Sequence, residues 1–145
     1  MKKALRYLLI VVGIVAIAVG GFAAFVAIRG VPSYKAEPVN LKVEATPARL
    51  EKGQKLAAML CNHCHMDPNT GALTGRRMEE APQFGAIYAK NITAHPEYGI
   101  GKWTDGQLTY LLRTGLKPDG TFLPIMARLP HMSDEDVASI IAFLR

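Results

Sequence analysis

The 145-residue sequence predicts an all-α fold, in which one membrane-spanning helix precedes a small domain of three to four short helices. Two patterns support this prediction. A run without charged residues extends from Tyr7 to Ile28, and three later stretches combine helix-capping residues with apolar side chains at helical spacing. We therefore divide the chain into an N-terminal anchor over residues 1–29, an extended linker over 30–46 and a helical domain over 47–145.

The charge-free run is long enough to cross a bilayer. As a helix its twenty-two residues would extend about 33 Å, at about 1.5 Å per residue. A cleaved secretory signal is the alternative, but the apolar core of such a signal normally holds only about 7–15 residues. The one Ala-x-Ala match, at residues 16–18, lies in the middle of the run, where cleavage would leave an apolar stump. We therefore expect an uncleaved anchor.

Basic residues beside this run predict its orientation. Lys2, Lys3 and Arg6 precede the run, and Arg29 follows it. Because positively charged flanks stay in the cytoplasm, we expect the helical domain in the periplasm, outside the bacterial inner membrane. These four residues contribute +4 of the formal net charge of +5, which leaves +1 for residues 31–145. The excess charge therefore gives no support for nucleic-acid binding.

The linker is predicted from its composition. It contains Pro32, Pro38 and several charged residues, with little apolar periodicity. If the eighteen residues 29–46 were free and extended, they would reach about 55 Å, at about 3.1 Å per residue. The helical domain would then be able to swing between partners or to lie along one large partner.

Capping signals predict three helices in the domain. Thr46 is suited to an N-cap and Pro47 to the first helical position. A second helix begins at the capping box Thr104–Gln107 and ends near Gly115, and a third begins at a similar box, Ser133–Asp136. An apolar stripe at the i, i+3, i+4, i+7 spacing continues the third helix and comprises Val137, Ile140, Ile141 and Leu144.

The five residues Cys61-Asn62-His63-Cys64-His65 have the C-x-x-C-H pattern of covalent haem attachment. Each thiol adds to one vinyl group of the porphyrin, and the adjacent histidine then binds the iron from the proximal face. Cys61 and Cys64 are the two cysteines of the sequence. We therefore predict one covalently bound haem c, held by Cys61, Cys64 and His65.

Two other interpretations of this motif are weaker. A thioredoxin-like dithiol pair needs a strand-to-helix context, whereas a helical pattern leads into the motif from Leu50. A structural zinc site would need four ligands, typically two pairs at similar spacing, whereas the motif offers Cys61, Cys64 and His63 or His65. The remaining histidines, His95 and His131, lie far apart and form no such pair.

The stretch from Met66 to Lys102 is rich in Gly, Pro, Asn and Thr and is predicted to be loop that surrounds the cofactor. Its one short helical candidate runs from Phe84 to Tyr88. So small a domain has little apolar volume of its own, which a buried haem would supply.

The second axial ligand decides between an electron carrier and an enzyme, since a thioether closes the iron to substrate. Met126 is the preferred candidate because it lies in an irregular segment between the second and third helices, two residues after Pro124. A lone methionine in a loop is more commonly core filler. With a haem already inferred, Met126 is nevertheless the best placed residue to cover the iron. The alternatives are Met132, Met78, His95, His131 or an open position.

From about Arg49 to Arg145, the sequence resembles a class I-type cytochrome c domain. The resemblance depends on the C-x-x-C-H motif, on Met126 behind a proline and on the order of the helices. In that family the first and last helices cross at a small residue, a role that Gly53 and the Ile140–Phe143 region would have here. Three segments are also similar to the cytochrome subunits of membrane-bound bacterial dehydrogenases: Asn91–Thr93, Gly99–Asp105 and Met132–Asp136.

The motif and the resemblance together imply a membrane-anchored monohaem cytochrome that carries single electrons between respiratory or photosynthetic partners. It would be a tethered carrier or a subunit of an integral membrane complex. Members of the wider family serve dehydrogenases, quinol-oxidising complexes, oxidases and reaction centres. We expect no enzymatic activity and no small-molecule substrate. The alternative is a haem enzyme or gas-binding protein with a labile or open distal site.

Four further residues are weaker candidates for contact with the cofactor. Trp103 and Tyr98 would line the pocket or pack in the core. Arg76 and Arg77 would pair with the haem propionates or lie on a solvated surface.

Overall fold

The computed structural model describes residues 2–80 and 82–145, and the chain divides into two units, Met1–Ser33 and Tyr34–Arg145. Over the described residues the regular elements are helices, which confirms the predicted all-α class. The first unit contains α1, Lys2–Arg29. This helix is long and apolar enough to cross a membrane, and its side chains from Lys3 onward are exposed.

Among its described residues, the second unit contains four α-helices: α2, Pro47–Leu60; α3, Asn62–His65; α4, Asp105–Thr114; and α5, Asp134–Leu144. The predicted bounds of α2, α4 and α5 are confirmed. The Thr46 hydroxyl accepts the N–H of Arg49 at 3.3 Å, and Thr104 and Gln107 form the complete capping box. The helix α4 ends at Gly115, whose φ of 78° lies in the left-handed region that favours glycine.

The capping box predicted for α5 forms only in part. Ser133 accepts the N–H of Asp136 at 3.1 Å, as expected for an N-cap. The Asp136 carboxylate, however, pairs with Lys52 of α2 rather than with the backbone of Ser133. An aspartate is one methylene shorter than the glutamate of a usual capping box.

The crossing of α2 and α5 forms the centre of the second unit. Gly53 permits it, because a Cβ at this position would overlap the carbonyl oxygen of Ser139 and lie 2.8 Å from the Cβ of Phe143. Beside this contact is a cluster of buried apolar residues from α4, α5 and the preceding loop: Ile100, Leu108, Leu112, Val137, Ile140, Ile141 and Leu144. The helix crossing implied by the family resemblance is therefore confirmed.

Ion pairs flank the same crossing. Arg49 donates to both carboxylate oxygens of Glu135, at 2.8 and 2.9 Å. The hydrogen bond from Arg49 holds the pKa of Glu135 below its ordinary value of 4.5, and Lys52 lowers the pKa of Asp136 in the same way. A carboxyl group with a lowered folded-state pKa stabilises the fold above its ordinary pKa, and this contribution is lost as the pH falls through the lowered value.

Glu135→Gln is therefore expected to make stability less sensitive to acid. The denaturation midpoint of the wild type should fall more steeply below about pH 4.5 than that of the variant. Chemical denaturation of the holoprotein between pH 7 and pH 3 measures both curves, with Glu97→Gln, an exposed loop substitution, as the control. Parallel curves for the wild type and Glu135→Gln would contradict the assignment.

The short helix predicted over Phe84–Tyr88 is wrong. A single 3-10 turn spans Pro82–Phe84, and Gly85 follows it with a φ of 89°, which ends helical geometry. Tyr88 instead forms an antiparallel bridge with Arg77.

The predicted linker has neither helix nor strand over residues 34–43, but its backbone contacts the helical domain. The N–H of Tyr34 donates to the carbonyl of Gly120 at 2.9 Å, and that of Val43 donates to the Asp105 carboxylate at 2.8 Å. Tyr34 and the residues after it accordingly belong to the second unit.

Candidate haem-attachment site

The C-x-x-C-H motif lies in one helical turn that continues directly from α2. The N–H of Cys61 donates to the carbonyl of Ala57 at 2.8 Å, and the N–H of His65 donates to the carbonyl of Cys61 at 2.9 Å. Residues at positions i, i+3 and i+4 of a helical turn lie on one face, so Cys61, Cys64 and His65 are neighbours. Both thiols are free and half-buried.

A backbone carbonyl determines which ring nitrogen of His65 is free. The Nδ1 atom of His65 lies 2.7 Å from the carbonyl oxygen of Lys90. Because a carbonyl only accepts, Nδ1 carries the hydrogen and Nε2 keeps its lone pair. A histidine that binds a metal through Nε2 is normally oriented by such a bond from its other nitrogen. The ring of His65 thus has the tautomer that an axial iron ligand requires.

Gly75 allows the chain to approach closely enough to make this bond. Its N–H donates to the carbonyl of His65 at 2.8 Å, and its φ is 88°. A Cβ on Gly75 would overlap the carbonyl oxygen of Ala89, the residue before Lys90. Sequence reasoning did not identify Lys90, because it acts through a backbone carbonyl that leaves no side-chain signal.

Arg76 holds the other side of the motif. Its guanidinium donates to the carbonyl of His63 from Nε at 3.1 Å and from Nη2 at 2.7 Å, and it pairs with Glu80. This ion pair lowers the pKa of Glu80. Arg76 is therefore not the solvated loop residue considered from sequence, whereas Arg77 is exposed and pairs with Glu79 at 3.3 Å. Two guanidinium bonds to one carbonyl fix the turn that contains both cysteines.

The thiols do not have the properties of a redox dithiol. Burial, and to a smaller extent the neighbouring Cys64, raise the pKa of the Cys61 thiol. A thioredoxin-like cysteine needs the opposite, a lowered pKa that makes it a thiolate near neutral pH. Over residues 2–80 and 82–145, no group of three or more His, Cys, Asp or Glu side chains could hold a metal ion, so zinc gains no support.

Met126 is half-buried and packs against the apolar cluster from the irregular segment between α4 and α5. Backbone bonds fix both ends of this segment to α4, from Leu123 N–H to the Gly115 carbonyl at 2.9 Å and from Leu129 N–H to the Leu112 carbonyl at 2.7 Å. Met132 packs against the same cluster. Packing therefore does not separate the two methionines, and ligation by Met126 stays a prediction.

Three further candidates from the sequence are His95, Tyr98 and Trp103. The Nδ1 of His95 accepts the N–H groups of Glu97 and Tyr98, both at 3.1 Å, so it stabilises its own turn. Tyr98 is 71% exposed and its ring lies 5.0 Å from that of His95, outside the core. Trp103 is half-buried and packs against the apolar cluster.

These residues fit a covalently attached haem. Two neighbouring thiols and a histidine with a free Nε2 form the attachment side. Half-buried apolar side chains that pack against the core offer further surface: Leu73, Ile92, Trp103, Met126 and Leu129. Two thiols and an imidazole match the attachment groups and one axial ligand of a c-type haem.

Comparison with known proteins gives an independent result. The cytochrome c family model matches residues 50–145. The cytochrome c subunit of a quinone-dependent alcohol dehydrogenase from Gluconobacter oxydans (strain 621H) is 34% identical over 104 residues, covering 69% of this chain and 22% of that protein. The fructose dehydrogenase cytochrome subunit of Gluconobacter japonicus is 34% identical over 110 residues, covering 70% and 23% respectively.

A third relative is a nicotinate dehydrogenase subunit from Pseudomonas putida. It is 34% identical over 101 residues, which cover 67% of this chain and 8% of that protein. The chain thus matches less than a quarter of the length of each of these three relatives.

Proposed function

This chain belongs to the cytochrome c family of electron-transfer proteins, and we propose that it is a membrane-anchored monohaem member. It would pass single electrons between redox partners at the bacterial inner membrane, as a tethered carrier or as a subunit of a complex. The observation that most directly supports this role is the bond from His65 Nδ1 to the Lys90 carbonyl. His65 lies in the same helical turn as Cys61 and Cys64.

Each site residue has a distinct role in this proposal. Cys61 and Cys64 would hold the haem through two thioether links, and His65 Nε2 and Met126 would bind its iron. Bound haem c supplies the one-electron chemistry of iron between Fe(III) and Fe(II). The bond from His65 Nδ1 to the Lys90 carbonyl keeps the imidazole oriented, and Arg76 keeps the attachment turn in place. Because the sequence contains two cysteines, we propose one haem per chain.

The proposed topology follows from α1. Residues 1–29 would stay attached as a single-pass anchor, with the N-terminus in the cytoplasm and the haem domain in the periplasm. The helix is apolar and exposed in the described residues, which supports membrane insertion. Mass spectrometry of the intact protein purified from membranes tests the anchor. A mass that includes residues 1–29 would support it, whereas the mass of a shortened chain would indicate a cleaved signal.

The partner is proposed to be a membrane-bound redox complex. Two of the relatives named above are cytochrome subunits of dehydrogenases, which favours a dehydrogenase among the possible complexes. Purification from native membranes in a mild detergent, followed by mass spectrometry, tests this proposal. Stoichiometric recovery with a dehydrogenase, oxidase, quinol-oxidising complex or reaction centre would identify a fixed subunit. Recovery of the holoprotein alone would favour a tethered carrier.

Met126→Ala is expected to lower the reduction potential by on the order of 0.1 V or more, since axial ligands set haem potentials over a range of about 0.8 V. The weak sulfur-to-iron absorption band of the oxidised protein should also disappear. The ferrous variant should bind carbon monoxide quickly, whereas the wild type should bind it slowly. Absorption spectra and a redox titration measure these changes.

Met132→Ala is the matched control, because it removes a methionine that packs against the same apolar cluster. It should keep the band and the potential. If the band survives in Met126→Ala and disappears in Met132→Ala, the ligand is Met132. Rapid carbon monoxide binding by the wild type would favour the alternative with an open distal site.

A further inference from the structure

Residues 34–43, which we call the strap, contact the haem domain through their backbone. Most strap side chains are exposed, but Ala36 and Val43 are half-buried. At one end the Tyr34 N–H donates to the Gly120 carbonyl at 2.9 Å, and at the other the Val43 N–H donates to Asp105 Oδ2 at 2.8 Å. Both ends of the strap therefore have specific hydrogen-bond partners that a free linker would lack.

The middle of the strap lies against a glycine in the first turn of α4. A Cβ on Gly106 would overlap the carbonyl oxygen of Val39 and lie 3.5 Å from the amide nitrogen of Leu41. Gly106 is buried and has no positive φ, so its backbone conformation does not require glycine. Alanine would be the better helix former at this position. The observed reason for a glycine is therefore the close approach of the strap.

Asp105 connects the strap to the rest of the domain. One of its oxygens, Oδ2, accepts from Val43, and the other, Oδ1, accepts from Arg145 Nε at 2.9 Å and Nη2 at 2.8 Å. The same guanidinium donates to the carbonyl of Ile100 at 3.1 Å and to that of Trp103. The Asp105 side chain is only 14% exposed, so solvent screens these bonds weakly. The Asp105 carboxylate and the Arg145 guanidinium thus join the strap, the residue that follows α5 and the segment that contains Trp103.

We propose that the strap is an integral part of the haem domain, with Asp105 and Gly106 as the residues that hold it. The chain left between α1 and the strap is then residues 30–33 alone. Five Cα-to-Cα steps from Arg29 to Tyr34 extend to about 18 Å at most, at about 3.6 Å per residue. The free linker expected from sequence would reach about 55 Å. In terms of the proposed function, on which this step depends, a redox partner would meet a haem domain whose tether to α1 is about 18 Å long at most.

Hydrogen exchange of the full-length holoprotein in detergent tests the proposal. Gly106→Ala should speed the exchange of the Tyr34 and Val43 amides at least about tenfold, because exchange follows the local opening equilibrium. Asp105→Asn should do the same for the Val43 end. Peptides from α4 and α5 in Gly106→Ala report whether the domain stays folded, and Glu51→Gln, an exposed substitution on α2, controls for loss of a carboxylate.

Slow exchange of the Tyr34 and Val43 amides in the wild type, lost in Gly106→Ala while α5 stays protected, is the expected result. Two outcomes would overturn the proposal. One is exchange of both amides at the unprotected rate in the wild type. The other is a Gly106→Ala variant that is more stable than the wild type and leaves the hydrogen exchange of these amides unchanged. Alanine would then act only as a better helix former. None of these readouts involves electron transfer, so the strap and the proposed function can fail separately.

Discussion

Replacing both Cys61 and Cys64 with alanine is expected to abolish covalent haem attachment and to leave the haem domain unfolded. The second unit has four short helices and a small apolar core, so a bound group that contacts the core contributes a large share of the folding free energy. The variant should show no haem after a denaturing gel and little helical circular dichroism from this unit.

His63→Ala is the matched control, because it changes the same five-residue motif at an exposed side chain. Its backbone carbonyl, the acceptor for Arg76, is unaffected, so haem retention should match the wild type. A double cysteine variant that folds to full helical content without haem would show that the cofactor is not needed for the fold.

The second large effect is expected for Gly53→Ala at the crossing of α2 and α5. The new Cβ would overlap the Ser139 carbonyl and lie 2.8 Å from the Cβ of Phe143, so the helices must separate. Overpacking of this kind typically costs about 1–3 kcal/mol and occasionally more, which exceeds the gain of up to about 1 kcal/mol in helix propensity. We expect a net loss of about 1–2 kcal/mol in the free energy of unfolding.

Chemical denaturation of the oxidised holoprotein measures this loss. Gln54→Ala is the control, because it introduces alanine at the next position of α2 on an exposed side chain, where it should change stability little. Wild-type stability in Gly53→Ala would contradict the close helix contact.

Sequence predicted those parts of the fold that local signals encode. Thr46 and Thr104 are N-caps in the structure, and the apolar stripe of α5 is buried as expected. The turn α3 was missed because four residues carry no periodicity. The helix expected over Phe84–Tyr88 does not form, since Gly85 ends the 3-10 turn before it.

At the site, too, local sequence signals predicted some residues, whereas backbone contacts gave no signal. The residues Cys61, Cys64 and His65 follow from a motif whose spacing reflects its chemistry. The acceptor for His65 is the Lys90 carbonyl, and the strap contacts Gly106 through the Val39 carbonyl and donates to Asp105 from the Val43 N–H. Backbone groups are the same in every residue, so no sequence pattern could have identified these contacts. Met126 was chosen by elimination and still needs the spectroscopic test.

The most direct test of the proposed function is a spectroelectrochemical titration of the full-length protein, combined with a count of haem per chain after denaturation. We expect one covalently retained haem per chain and a single reversible one-electron transition. A chain that retains no haem after denaturation, or one whose haem shows no reversible one-electron step, would contradict an electron-transferring monohaem cytochrome.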